Sequence, residues 1–272
     1  MQFESKVVLV TGGGSGIGKA CCRIFAERGA RVAVVDIDAD KAKSSAEEIS
    51  RQEGMKGTAR AFPGDVSLAP EAQKLVRDVQ TALGGVDVLV NNAGIQRYGT
   101  AVSASEESWD EVLRVNLKSM FLMSKYALPE MIRRRAGAIV NVGSVQSLGA
   151  VTNSIAYVTS KHGVLGLTRS LAIDYGHENI RATCVCPGAI DTPMLRWSAS
   201  LDPDPERVLR TCEQAHALGR LGQPDEVARL VAFLASEEAS FLSGAAYSVD
   251  GGMMAPVGGM GFQESGTGAS QR

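Results

Sequence analysis

The chain has 272 residues, of which 44% are apolar and 21% charged, and its formal charge is −2 at pH 7. This length can bury a sizeable core as one α/β domain, and the composition is ordinary for a globular protein. The near-neutral charge argues against a general affinity for nucleic acid or anionic membrane and favours a small-molecule partner.

The cysteines and the N-terminal residues point to a cytoplasmic protein, and the histidines give no sign of a metal site. Five cysteines without a C-x-x-C pair indicate free thiols in a reducing compartment. The first residues lack the apolar region of a signal peptide, and the apolar run at residues 7–10 is too short to cross a membrane. His162, His177 and His216 do not have the spacing of metal ligands, so no metal site is expected.

Short apolar segments alternate with longer amphipathic ones along the chain. The short segments are rich in Val and Ile without polar alternation, as in strands buried on both faces. The predicted strands cover residues 6–10, 31–35, 87–90, 138–142 and 181–186. The predicted helices cover residues 17–28, 39–52, 70–83, 106–135, 155–175 and 224–234. This order predicts a single-domain, Rossmann-type α/β fold, with a doubly wound parallel sheet and helices on both faces.

A glycine-rich segment follows the first predicted strand and opens directly into a helix. Glycines there allow a sharp turn and a close approach to a pyrophosphate, which the helix N-terminus attracts. The segment lacks the Gly-Lys-Ser/Thr ending of a P-loop, so a dinucleotide site is the better reading. The residues expected to bind the cofactor here are Gly12, Ser15, Gly16, Ile17 and Gly18.

Asp36 ends the second predicted strand, eighteen residues after Gly18. A carboxylate at this place can accept hydrogen bonds from the adenosine ribose and repel a 2′-phosphate. Ile37 follows instead of a basic residue, and the glycine segment contains no Lys or Arg. These features predict NAD as the cofactor, in preference to NADP.

Tyr157 and Lys161 are four positions apart, so both project from one face of a helix. A tyrosine ordinarily titrates near pH ~10, too high for a base at neutral pH. We expect the Lys161 ammonium and a positively charged nicotinamide ring to lower the pKa of Tyr157, which would permit general acid–base catalysis. Ser144, at the end of a central strand, can hydrogen-bond the substrate oxygen.

Taken together, these motifs resemble the short-chain dehydrogenase/reductase family over residues 6–252. They stand in the family's order: residues 11–18, Asn91-Asn92-Ala93-Gly94, Asn116, Ser144, Tyr157-x-x-x-Lys161 and Pro187-Gly188. The resemblance implies that Ser144, Tyr157 and Lys161 are catalytic. It also implies that the Asn116 backbone carbonyl holds a water of a proton relay.

The same resemblance implies further contacts with the dinucleotide. Asp65 and Val66 correspond to residues that contact adenine, and Tyr157 and Lys161 lie at the nicotinamide end. The resemblance implies that the adenosine and ribose side is lined by Asn92, Ala93 and Gly94, and that the nicotinamide is held by Pro187, Gly188, Ile190 and Thr192. Members of the family are usually homotetramers or dimers. The apolar residues of the helices at 106–135 and 155–175 agree with a homotetramer.

The domain boundaries follow from this alignment. Residues 1–252 form the predicted dinucleotide-binding catalytic domain. Within it, residues 190–216 contain three prolines and form a predicted lid, although a passive surface insertion is the alternative. Residues 253–272 are a predicted C-terminal tail, partly disordered. We expect its beginning to reach over a neighbouring subunit's pocket, with Met253, Met254 or Met260 touching substrate.

The loops around the predicted site resemble those of aldohexose and other sugar dehydrogenases within the family. Oxidation of an aldose at C1, or of a secondary alcohol, is therefore the expected reaction. Ser144 and Tyr157 are expected to contact the substrate. Neutral polar side chains could also hydrogen-bond to sugar hydroxyls, and an indole could stack on a sugar face. These candidates are Gln96, Gln146, Asn153 and Trp197.

Three alternatives remain open at this stage. A 3-hydroxybutyrate-type dehydrogenase would use Arg97 as the partner of a carboxylate, although a solvent-facing arginine is commoner. A reductase of 3-oxoacyl chains on a carrier protein usually takes NADPH, which Asp36 disfavours. A non-catalytic NAD-binding sensor is least favoured, because Ser144, Tyr157 and Lys161 are all present.

Overall fold

A computed structural model describes residues 2–256 of the chain. The predicted tail therefore falls mostly outside the described residues, and so does Met260. Within residues 2–256, none of the helices combines the length and the apolar character needed to cross a bilayer.

Seven parallel strands form one sheet, which confirms the predicted Rossmann-type architecture. Their order across the sheet is β3-β2-β1-β4-β5-β6-β7. The order reverses between β1 and β4, and this places a crevice at the carboxyl ends of these strands, where ligands bind in such sheets. The strands are β1 (Val7–Thr11), β2 (Arg31–Asp36), β3 (Thr58–Pro63), β4 (Val88–Asn91), β5 (Gly137–Val142), β6 (Ile180–Pro187) and β7 (Ala246–Val249).

Helices cover both faces of the sheet, as a parallel sheet requires. Alternate strand residues point to opposite faces: Val8 and Val10 pack towards α1, α2 and α9, whereas Val7 and Leu9 pack towards α3 and α5. The helices are α1 (Gly16–Glu27), α2 (Ala39–Arg51), α3 (Ala69–Leu83), α4 (Glu106–Leu113), α5 (Ser119–Arg134), α6 (Ile155–Tyr175), α7 (Pro193–Ala199), α8 (Pro205–Gln214) and α9 (Pro224–Ala235).

The helix predicted over residues 106–135 is interrupted, which corrects the sequence prediction. A π-helical turn at Arg114–Lys118 separates α4 from α5, and the Ser119 amide donates to the Arg114 carbonyl five residues back. Such a turn inserts one extra residue, so that it bulges from the helix, and it commonly marks a functional position. The periodicity of apolar residues does not reveal this insertion, because both flanking helices keep their own regular pattern.

Candidate active site

The glycine-rich turn between β1 and α1 is closed by backbone contacts that exclude side chains. Gly12 has a φ of +65°, and a Cβ on Gly18 would lie 2.0 Å from the Gly12 carbonyl oxygen. Ser15 is the N-cap of α1, yet within the described chain its side chain forms no capping hydrogen bond. The turn therefore presents backbone and the positive end of α1 at the crevice, a cradle that suits a pyrophosphate.

Asn92 and Ala93, predicted to lie near the adenosine, brace this turn. The Asn92 side-chain amide donates to the carbonyls of Thr11 at 2.9 Å and Gly12 at 3.2 Å. The backbone amides of Asn92 and Ala93 both donate to the Thr11 hydroxyl, at 2.9 and 3.0 Å. The end of β4 thus fixes the shape of the turn after β1.

Asp36 lies beside the same turn, at the end of β2. One carboxylate oxygen accepts from the Gly14 amide at 2.9 Å, and the other accepts from the Asp38 amide at 3.0 Å. Ile37 is largely exposed. The neighbouring basic residue, Lys41, pairs with Asp38 at 2.9 Å. The carboxylate of Asp36 is therefore held in place at the edge where a ribose would lie.

Asp65 and Val66 follow β3 at the same edge of the sheet. One oxygen of Asp65 accepts from the amide and the hydroxyl of Ser67, at 2.8 and 2.6 Å. Its other oxygen lies 3.6 Å from the Arg114 guanidinium. Val66 is buried against the core on the α3 side. Contact of these two residues with adenine stays a prediction.

The structure brings Ser144, Tyr157 and Lys161 together between β5 and α6. The Ser144 hydroxyl lies near enough to the Tyr157 phenol to lower its pKa. Lys161 is only 3% exposed, and its ammonium donates to the Val142 carbonyl at 2.8 Å. The same nitrogen lies 5.5 Å from the centre of the Tyr157 ring. The predicted spacing is thus realised as one compact cluster.

Burial controls the protonation of this cluster. It raises the pKa of Tyr157 to about 12, despite the opposing effect of the nearby Ser144 hydroxyl, and the Tyr98 phenol adds to the rise. Burial also lowers the pKa of Lys161 to about 8, against the opposing effect of the Cys184 and Cys186 thiols. The sequence predicted a lowered pKa for Tyr157. Lys161 does not produce that effect by itself, because its ammonium is directed at Val142.

Asn116 lies in the π-helical turn and is completely buried. Its side chain exchanges two hydrogen bonds with the backbone of Ile95, at 2.8 and 2.9 Å, and donates to the Ser160 hydroxyl at 3.2 Å. Ser160 in turn donates to the Tyr157 carbonyl at 2.7 Å. The side chain therefore ties the loop after Gly94 to α6, a link that the sequence did not suggest. The water-holding role of its carbonyl stays a prediction.

The four predicted substrate residues have different surroundings. Gln96 is 6% exposed, and its amide nitrogen donates to the Ser154 hydroxyl at 3.2 Å. The side-chain oxygens of Gln96 and Gln146 are buried and find no hydrogen-bond partner among residues 2–256. Asn153 is exposed and adopts a φ of +59°, whereas Trp197 is 41% exposed on α7.

Arg97 is already engaged within the protein. Its guanidinium forms two hydrogen bonds with Glu111, at 2.9 and 3.1 Å, and a third with the Gln96 carbonyl at 2.9 Å. A carboxylate substrate would have to compete with Glu111 for this group. This geometry removes the support that Arg97 gave to the hydroxy-acid alternative.

The segment after β6 connects the Ser144 cluster to the glycine-rich turn. Gly188 donates its amide to Val249 at 3.1 Å, and Ile190 is buried. Thr192 caps α7, and a Cβ on Gly16 would lie 3.3 Å from its methyl carbon. Pro187, which ends β6, begins this segment. The predicted nicotinamide residues therefore line one side of the crevice.

Sequence reasoning missed Tyr98 and Ser198, which meet at the mouth of the crevice. The Tyr98 phenol hydrogen-bonds to the Ser198 hydroxyl on α7. Tyr98 is also close enough to influence the pKa of Tyr157. No local pattern could indicate this pair, because the two residues are 100 positions apart.

The start of the predicted tail lies on its own chain. Met254 donates its amide to Asp250 at 2.9 Å, and a Cβ on Gly149 would lie 3.1 Å from the Met254 methyl carbon. Gly149 belongs to the loop after Ser144. Met254 therefore packs beside the loop of its own subunit, and the reach of the tail over a neighbouring subunit's pocket stays a prediction. Met253 is half-buried in the preceding turn.

The family model described as enoyl-(acyl carrier protein) reductase matches residues 12–254, which is nearly the whole described chain. The chain belongs to the short-chain dehydrogenase/reductase family. It is an oxidoreductase that acts on CH–OH groups, and the family uses a nicotinamide cofactor. The family predicted from the sequence motifs is thereby confirmed.

Three relatives show the range of activities among similar chains. An uncharacterized oxidoreductase of Thermotoga maritima is 42% identical over 94% of this chain and 100% of its own. The 3-oxoacyl-[acyl-carrier-protein] reductase FabG of the same organism is 39% identical over 93% of this chain and 100% of its own. The solved structure of Thermoplasma acidophilum aldohexose dehydrogenase has a TM-score of 0.85 and 37% identity, covering 96% of this chain and 98% of that one.

Proposed function

We propose that the protein is an NAD-dependent dehydrogenase whose substrate is a sugar, oxidised at its hemiacetal carbon or at a secondary alcohol. The observation that carries the catalytic assignment is the buried Lys161 ammonium 5.5 Å from the centre of the Tyr157 ring, with the Ser144 hydroxyl near the same phenol. When bound, the nicotinamide accepts or supplies the hydride.

In this proposal, Tyr157 exchanges the proton of the reacting hydroxyl, and Ser144 hydrogen-bonds the same oxygen as its charge changes. A pKa of about 12 for Tyr157 keeps the phenol protonated at neutral pH, which suits donation to a carbonyl oxygen in the reducing direction. In the oxidising direction, the positive charges of Lys161 and of a bound nicotinamide would favour the phenolate that accepts the proton. Lys161 supplies positive charge beside the ring, and Asn116 holds the loop after β4 in register with α6.

The choice of NAD rests on Asp36. Its carboxylate is fixed by the Gly14 and Asp38 amides, and the ammonium of Lys41 is paired with Asp38. A 2′-phosphate would meet a fixed negative charge here, whereas ribose hydroxyls could donate to it. The glycine turn, which has no room for side chains at Gly12 and Gly18, accommodates the pyrophosphate shared by both dinucleotides.

The choice of a sugar rests on the neutral polar side chains of Gln96 and Gln146, whose oxygens have no donor among residues 2–256. Neutral amides favour a ligand with hydroxyl groups over one with a carboxylate, and because both oxygens are enclosed, the side chains have to turn towards the crevice when the ligand binds. Trp197 and Asn153 would lie at the rim. The similarity to an aldohexose dehydrogenase agrees with this choice.

Two exposed apolar faces support a homotetramer built from two different interfaces. A groove of about 700 Å³ runs between α4, α5 and α6, and Phe121 at its edge is half-exposed. The second face carries the exposed side chains of Ile173 on α6 and Phe241 after α9, and these two segments meet where a Cβ on Gly244 would lie 3.5 Å from the Ala172 methyl group. We assign both faces to further copies of this chain. Light scattering should give a tetramer for the native protein and a dimer for Phe121→Glu. A native monomer would contradict this assignment.

The free cysteines support a cytoplasmic location, the compartment that the sequence predicted. Within the described chain all five are unbridged, and Cys184 lies 3.8 Å from Cys186 without a bond between the sulfurs. Reduced neighbouring thiols are typical of a reducing compartment.

The test is NADH formation by the purified protein with aldoses, polyols, hydroxy acids and 3-hydroxyacyl thioesters, each offered with NAD and with NADP. We expect turnover of an aldose with NAD, and a rise in its KM in Gln146→Met. Gln73→Met, on the exposed face of α3, is the matched control. Turnover of hydroxy acids or acyl thioesters alone would contradict the sugar assignment. Binding of NADH without any turnover would support a sensor.

A further inference from the structure

His216 is a buried histidine that joins three segments at the carboxyl edge of the sheet. It follows α8 and is only 4% exposed. One ring nitrogen, Nδ1, donates to the Cys212 carbonyl at 2.7 Å, and the other, Nε2, accepts from the Ala189 amide at 3.1 Å. A ring nitrogen that accepts an N–H bond carries no proton, so these partners define a neutral imidazole protonated at Nδ1.

Two glycines make room for this ring. A Cβ on Gly188 would lie 2.6 Å from Nε2 of His216, and one on Gly251 would lie 3.4 Å from its Cβ. The Gly251 carbonyl also accepts from the Leu218 amide at 3.1 Å. The imidazole is therefore held between the segment after β6 and the turn after β7.

The segment that His216 contacts, residues 188–192, runs along the crevice from the region of Ser144 to the glycine-rich turn. At its start, β6 pairs with β5 next to Ser144, and the Gly143 amide donates to Val185 at 2.7 Å. At its end, Thr192 lies against Gly16 of the glycine-rich turn. If the pyrophosphate lies at that turn and the chemistry occurs at Ser144 and Tyr157, the nicotinamide half of the dinucleotide passes along residues 188–192.

We propose that His216 is a positioning residue for the nicotinamide half of the dinucleotide. By accepting from the Ala189 amide, it fixes the backbone of residues 188–192 in the shape that receives the nicotinamide. It acts through Ala189 and Gly188 and does not itself contact the reacting atoms. This inference rests on the proposed function, because it requires a dinucleotide in the crevice.

The proposal predicts that loss of His216 affects the two halves of the dinucleotide differently. The adenosine and pyrophosphate half is received by Asp36 and the glycine-rich turn, which His216 does not contact. ADP-ribose lacks the nicotinamide, so its affinity should depend little on His216. NADH should lose affinity when the Ala189 amide has no acceptor, by about tenfold if one buried hydrogen bond is lost.

The experiment measures the Kd of NADH and of ADP-ribose by calorimetry for the native protein and three variants. His216→Leu removes both hydrogen bonds. His216→Asn can still donate to Cys212 but is too short to reach Ala189. His216→Gln can place its amide oxygen near the Ala189 amide. His177→Leu, at an exposed histidine, is the control.

We expect weaker NADH binding and unchanged ADP-ribose binding for the Leu and Asn variants, with recovery in the Gln variant. Equal losses for both ligands, or no loss for either, would overturn the positioning role. If the Leu variant does not fold, the comparison of Asn with Gln decides the question. A native protein that binds neither ligand would instead contradict the proposed function.

Discussion

The Tyr98 phenol and the Ser198 hydroxyl form a hydrogen bond that joins the loop after β4 to helix α7. The loop side of this contact is well anchored: Gly99 donates its amide to the Asn153 carbonyl at 2.8 Å, and Gln96 donates to Ser154 at 3.2 Å. The contact therefore links the start of α6, which carries Tyr157, to the predicted lid.

This contact predicts that Tyr98→Phe and Ser198→Ala each weaken closure of the lid. Losing one hydrogen bond of about 1 kcal/mol should raise the substrate KM about fivefold in either variant. The double variant should be no worse than each single one, because both remove the same bond. Steady-state kinetics measure this, with Tyr126→Phe on α5 as the control. Additive effects of the two substitutions would show that the residues act separately.

Removal of the Tyr157 hydroxyl tests the acid–base assignment. Tyr157→Phe should lower kcat about a hundredfold to ten-thousandfold, because general acid–base catalysis contributes that much. NADH binding, measured by fluorescence, should remain close to the native value. Tyr175→Phe, at the end of the same helix, is the matched control. A Tyr157→Phe enzyme with native kcat would refute the assignment.

The lowered pKa of Lys161 predicts a pH-dependent stability. The pKa of Lys161 is about 8 in the folded protein, against 10.5 for an unperturbed lysine. Between these two pH values the side chain is largely protonated in the unfolded chain and largely deprotonated in the folded protein. The native free energy of unfolding should therefore rise with pH relative to Lys161→Met across this window. The full change is about 3 kcal/mol.

Urea denaturation of both proteins between about pH 8 and about pH 10 should show about 2 kcal/mol of this change. Lys43→Met, at an exposed lysine on α2, should show no comparable trend. If the stability difference between native protein and Lys161→Met stays constant with pH, then Lys161 keeps its proton in the folded state.

Substitution of Asp36 tests cofactor choice. Asp36→Asn keeps an acceptor for the Gly14 amide but removes the negative charge that opposes a 2′-phosphate. The ratio of kcat/KM for NAD to that for NADP should fall by about tenfold to a hundredfold, the effect of one charged hydrogen bond. Asp78→Asn, at a carboxylate on α3 that pairs with Lys74 away from the crevice, is the control and should leave the ratio unchanged. If Asp36→Asn and the control variant gave the same ratio of kcat/KM for NAD to kcat/KM for NADP, the basis for preferring NAD would be removed.

The sequence predicted the interior of the sheet and missed its two edges. The five predicted strands are β1, β2, β4, β5 and β6, whose apolar runs reflect burial on both faces. Edge strand β3 alternates exposed and partly buried residues, and β7 has only four residues, none fully buried. Neither pattern differs enough from a loop, because the outer side of an edge strand is not covered by another strand.

Local spacing predicted the parts of the site that are close in sequence. Tyr157 and Lys161 share a helix face, and the glycine-rich turn joins consecutive elements. The Tyr98–Ser198 and His216–Ala189 contacts join distant segments, and no periodicity encodes them. Burial raises the pKa of Tyr157 in the chain alone, an effect that spacing does not show, and the lowering expected from Lys161 together with a bound nicotinamide stays a prediction.

The π-helical turn at Arg114–Lys118 also limits how the length of this chain can change. Deleting one residue there would restore a regular α-helix, and α4 and α5 would keep their faces because the bulge absorbs the extra residue. The backbone at Asn116 would then be drawn into the regular helix, so that its side chain could no longer meet Ile95 and Ser160 together. A neighbouring loop could lose a residue at little cost, whereas this turn has to keep its length.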